Sequence, residues 1–76
     1  MDEFDRKAKQ FLEDGNVERI DDILKEFAMV VSYENGEELD NPSRFIKQTF
    51  GPVEIRDFTE YRVAKSVIRD EIQDGR

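Results

Sequence analysis

Residues 29–36, Met29-Val30-Val31-Ser32-Tyr33-Glu34-Asn35-Gly36, decide between two folds. Met29 to Tyr33 is rich in residues that favour strands, and Asn-Gly is the strongest short signal for a two-residue hairpin turn. Read that way, the chain is a small α+β domain with a hairpin around Asn35-Gly36. A hairpin needs a second strand, and Glu37-Glu38-Leu39-Asp40-Asn41-Pro42 offers one apolar residue before a proline that cannot join the ladder. Upstream the pattern is helical instead. Ile20, Ile23, Leu24, Phe27 and Val31 recur at steps of three and four, a single apolar stripe that carries a helix from Asn16, in the N-cap position, toward Asn35-Gly36.

The flanking segments support the helical reading. Phe4, Ala8, Phe11 and Leu12 fall on one face of a first helix that Asp2 caps and Gly15 ends. Downstream, Asn41-Pro42-Ser43 starts a short helix with proline at its first position, where the missing N–H is harmless. Phe45, Ile46 and Phe50 form its apolar face, and Gly51-Pro52 stops it. Val53-Glu54-Ile55 reads as extended. Asp57, followed three residues later by Glu60, has the spacing of a capping box and opens a last helix. There Tyr61, Ala64, Ile68 and Ile72 make one stripe, with Val63 and Val67 on a neighbouring face, and that breadth predicts a helix contacted on more than one side. The expectation is a compact all-α domain of three or four helices spanning residues 1–76, with the C-terminal helix central and Asp74-Gly75-Arg76 as a frayed end.

Composition narrows the chemistry. The 76 residues contain no His, Cys or Trp, and 41% are charged, with 19 acids against 12 bases for a net charge of −7. Six Phe and two Tyr give more aromatic content than a disordered acidic tail carries, so the charge decorates a folded body. Ordering a chain this short costs nearly what burial returns, which predicts marginal stability. Without cysteine there is no disulfide framework and no thiolate for zinc or iron–sulfur binding, and no metal or cofactor is expected. The acidic start Met1-Asp2-Glu3-Phe4-Asp5 is unlike a secretory leader, and no apolar run approaches the ~18 residues that span a bilayer, so a cytoplasmic protein is expected. A net negative charge also disfavours direct contact with nucleic acid or anionic lipid and favours a basic partner.

Catalysis by His or Cys is excluded. Ser32, Ser43 and Ser66 lie in separate segments outside any nucleophile elbow, and the glycines stand isolated at segment ends rather than in a phosphate-binding loop. The acidic loop Glu34-Asn35-Gly36-Glu37-Glu38-Leu39-Asp40-Asn41 lacks the alternating ligand spacing of a twelve-residue calcium loop and reads as a solvated turn.

The second helix carries the more informative pattern. Glu18, Asp22 and Glu26 stand four apart on the face opposite the apolar stripe, and like charges at that spacing cost about 0.2–0.5 kcal/mol per pair. Arg19 and Lys25 flank the row, with Asp21 a natural partner for Lys25. Met29 and Tyr33 prolong the same face. Acids that steer a basic partner, running into apolar side chains that anchor it, make Glu18, Asp22, Glu26, Met29 and Tyr33 the candidate protein-binding residues. The competing reading has Met29 and Tyr33 covered by another helix and the acids as ordinary solvent-facing charge. On the last helix Arg62, Lys65 and Arg69 form a basic edge that either snorkels over the core or meets the acidic row of another copy.

These features predict a non-catalytic module that binds and inhibits or regulates another protein, of a kind that also suits a phage-encoded or accessory regulator. Two alternatives compete with it. One is a nucleic-acid mimic that fills the basic groove of a DNA- or RNA-binding protein, and the other is a self-associating structural or assembly subunit.

Overall fold

The computed structural model describes residues 2–74, which form four helices and, among these residues, no strand: α1 (Glu3–Asp14), α2 (Val17–Glu34), α3 (Pro42–Phe50) and α4 (Phe58–Asp74). The expected all-α class is therefore what the chain adopts. Its radius of gyration is 11.8 Å, with extents of 35 × 26 × 18 Å. Gly75 and Arg76, part of the expected frayed end, lie outside the described residues.

The Asn35-Gly36 pair resolves as a helix stop. Gly36 takes φ 79°, its N–H donates to the Tyr33 carbonyl at 3.0 Å, and the Glu37 N–H reaches back to the Ser32 carbonyl at 2.9 Å. This is the Schellman closure, which satisfies carbonyls that a helix end leaves unpaired. The positive φ that glycine offers a hairpin turn is used here to end α2. The same closure ends α1, where the Gly15 and Asn16 N–H groups donate to the Leu12 and Phe11 carbonyls. Only two residues then separate α1 from α2, which forces the two helices into an antiparallel pair.

The starts of the helices follow the cap chemistry with one exception. Asp2 accepts from the Asp5 N–H at 2.8 Å, Asn41 from Arg44 at 3.0 Å, and Asp57 from Glu60 at 2.8 Å. Glu60 returns its carboxylate to the Arg56 N–H at 2.7 Å, one residue earlier than a regular capping box would place it. Asn16 occupies the N-cap position of α2 but makes no side-chain cap bond.

The helix at the centre is α2, which packs against α1, α3 and α4, whereas α4 packs on α2 and α1. This corrects the expectation that the C-terminal helix is central. The reason lies in the width of the buried arc. From Ile20 to Ser32, α2 buries seven residues around nearly half its circumference, while α4 buries the single stripe Tyr61, Ala64, Ile68 and Ile72. Val63, expected to widen that stripe, is 59% exposed. Ile20, Leu24, Ile46, Tyr61 and Ile68 are the largest side chains shut off from solvent, each stabilising by about 1.5–3 kcal/mol.

A candidate protein-binding face on the central helix

With its core side covered by three helices, α2 presents its opposite side to solvent. Glu18, Asp22 and Glu26 are all exposed on it, Met29 is 42% exposed, and Tyr33 is 81% exposed. No helix covers the two apolar residues. At 100° per residue, Asp22 and Tyr33 point almost directly away from the centre of the buried arc. The five expected residues thus share one open face, joined by Val30, which sequence reading had left inside the strand-like run. Its signal was available, since Val30 stands four residues beyond Glu26 and three before Tyr33.

The flanking cations stand near the row without forming an ion pair with it. Lys25 bonds Asp21 at 2.9 Å, one position to the side. That hydrogen bond, reinforced by the nearby Asp21 and Asp22 charges against some desolvation, raises the Lys25 pKa above its ordinary value. Arg19 lies over the Phe11 ring, 5.8 Å from its centroid. None of Glu18, Asp22 and Glu26 forms an ion pair among the described residues.

The basic edge of α4 behaves differently. Lys65 turns inward, its side chain 12% exposed, and bonds Asp5 at 2.7 Å and Asp2 at 3.1 Å across the start of α1. Its ammonium also lies 4.8 Å from the Phe27 ring centroid, and Arg69 approaches the same ring at 5.3 Å. This is the snorkelling arrangement, with Lys65 committed to joining α4 to α1 and Arg62 left exposed. Beneath it, Tyr61 is fully buried, and its hydroxyl, near the Asp5 carboxylate, lacks a hydrogen bond of good geometry among the described residues. Burial, followed by the nearby Asp5 and Asp2 carboxylates, raises the phenol pKa far above its usual value.

Among the described residues, no three acidic side chains gather closely enough to hold a metal ion, and no helix is long and apolar enough to cross a membrane. A depression of ≈ 760 Å³ lies between the start of α2, α3 and the segment leading to α4. Glu18, Asp21 and Glu54 face Lys25, Lys47 and Arg56 around it, so its charge favours neither sign of ligand. Comparison with family models, with curated proteins and with solved structures returns no match, which leaves function to be argued from these residues.

Proposed function

We propose that this chain is a small non-catalytic module that binds another protein through the outer face of α2, and that it inhibits or regulates a partner with a basic surface. The observation that carries the reading is Tyr33, 81% exposed beside Met29 and Val30 and in line with three carboxylates that form no ion pair among the described residues. Large aromatic side chains anchor interfaces when desolvated, and unpaired charges steer an oppositely charged surface toward them. A cytoplasmic setting fits the cysteine-free composition.

The test separates steering from anchoring. Glu18→Gln/Asp22→Asn/Glu26→Gln is expected to slow association with the partner and flatten its salt dependence, with dissociation little changed. Tyr33→Ala is expected chiefly to speed dissociation. If both variants bind as the parent does, the face is solvent decoration and the proposal fails. Losses spread over Glu37, Glu38 and Asp40, with Tyr33 irrelevant, would favour the nucleic-acid mimic instead.

A further inference from the structure

A second open surface lies on the flank of α4, away from the α2 face. Between the C-terminal end of α3, the connecting segment and α4 runs an apolar groove of ≈ 450 Å³, floored by Phe50, Val53, Val63 and Val67. It exists because α3 packs chiefly on α2, which leaves the side of α4 nearest α3 unfilled. Val67 also lines a shallower depression farther along the helix, where Asp70, Glu71 and Asp74 stand around it. Val67 thus borders both. Glu60, Val63, Val67, Asp70 and Asp74 follow at steps of three and four, so they form one stripe of roughly 21 Å along α4.

The charge on this stripe selects its occupant. Glu54 and Glu60 stand at one end, where Arg56 pairs with Glu54 at 4.0 Å and donates its backbone N–H to Glu60. Asp70, Glu71 and Asp74 stand at the other, and no basic side chain lines either depression, so the stripe is net negative. A second copy docked across a two-fold axis would set these acids against themselves, which is repulsive. A partner helix with apolar residues at steps of three and four, flanked by Lys or Arg, meets both the apolar floor and the acidic ends. We infer that the α3–α4 groove is a docking site for a basic amphipathic helix of about 14 residues, the length that covers roughly 21 Å. The groove is lined by none of Glu18, Asp22, Glu26, Met29 and Tyr33, and the inference stands whether or not the α2 face binds anything.

The probe is a synthetic amphipathic peptide of about four turns carrying Leu on one face and Lys on the other. A control peptide keeps its Lys residues and replaces Leu with Gln. Binding is followed on the ¹⁵N-labelled 76-residue chain by amide shift changes. The Leu–Lys peptide is expected to perturb residues 50–74 along the groove, and the Gln control to bind at least about tenfold more weakly, since the apolar burial is lost. Val63→Glu supplies the decisive arm because Val63 is well exposed and glutamate is a good helix former. If the peptide docks in the groove, this variant weakens it about tenfold. If the peptide is held by general charge attraction, the added carboxylate strengthens binding, and that result overturns the proposal. Tyr33→Ala should leave the peptide affinity within about twofold, because distant sites act independently. A loss at Tyr33→Ala with none at Val63→Glu would place the peptide on α2 and also overturn it, as would absence of binding at millimolar peptide.

Discussion

Replacing Lys65 with Met removes a charged group that ties α4 to the start of α1 and keeps most of its stem. The energy at stake follows from how far each partner is withdrawn from water. Lys65 and Asp5 have side chains 12% and 20% exposed at 2.7 Å separation, whereas Asp2 is 52% exposed and adds little. Removing one member of a fully buried pair costs about 3–5 kcal/mol, and an exposed pair contributes about 0–1 kcal/mol. This pair lies between, and the lost approach to the Phe27 ring adds about 0.5–1 kcal/mol. The expected cost is therefore about 2 kcal/mol, a fall in Tm of about 8–16 °C for a domain of this size. Thermal unfolding followed by circular dichroism at neutral pH measures it. A cycle combining Lys65→Met with Asp5→Asn should return a coupling of about 1–2 kcal/mol. A Tm within about 2 °C of the parent, or a coupling below about 0.3 kcal/mol, would refute the reasoning, because the ion pair would then do no more than Met packing does.

Tyr61→Phe removes a buried hydroxyl that lacks a hydrogen bond of good geometry and should be neutral or stabilising by about 1 kcal/mol; a loss of that size would instead reveal donation to Asp5. The parent should lose stability as pH rises above about 10, since the unfolded phenol ionises there while the folded one, with its raised pKa, stays protonated. Tyr61→Phe should flatten that limb of a denaturation series against pH. At the acid end Asp2 has a lowered pKa, chiefly through the bond from the Asp5 N–H and then Lys65. Its contribution is present above the ordinary carboxylate value of about 3.9 and is lost as pH falls through the folded value, a dependence that Asp2→Ala should weaken at a cost of about 1 kcal/mol in the cap. Ile68→Ala, at a fully enclosed position, should cost about 2–5 kcal/mol and unfold the domain near 37 °C, while half-buried Phe58→Ala should cost less; equal Tm losses would contradict this ranking.

The helices were legible because their ends depend on local chemistry. Gly15, Asn41, Gly51 and Asp57 act within a few residues of themselves, so reading along the chain finds them. Asn35-Gly36 was ambiguous for a specific reason: a glycine at positive φ serves a hairpin and a Schellman end equally, and only the missing second strand separated the two. The central helix was misjudged because two valines widened α4 on paper, whereas Val63 faces solvent in a groove that α3 leaves unfilled. Lys65 illustrates a different boundary. Its spacing placed it on a basic edge, but its partners Asp2 and Asp5 lie about sixty residues away in sequence, and no periodicity encodes that meeting. The exposure of the α2 face was legible from spacing, although Val30, at the edge of that face, was passed over even under the helical reading that placed Met29 and Tyr33 there.

The energetics of that face bear on the proposed binding role. Two like-charge steps, Glu18 to Asp22 and Asp22 to Glu26, together cost about 0.4–1 kcal/mol, offset in part by Glu18 beside the positive end of α2. Lys25 answers Asp21, and Arg19 answers the Phe11 ring, so the cations nearest the row spend their strongest contacts elsewhere. A domain near the threshold of stability gains nothing from leaving this repulsion beside an uncovered tyrosine. In the proposed function, a basic partner would discharge the row while desolvating Tyr33. The α4 groove repeats the combination with valines in place of tyrosine and acids at both ends. Lys65 is turned inward onto Asp5 and Asp2, whereas Arg6 and Arg56 meet Glu3 and Glu54 in exposed pairs. The acids of the α2 row stand beside the exposed apolar side chains without an ion pair among the described residues. That separation places the negative charge where a cationic, apolar surface can use both kinds of contact at once.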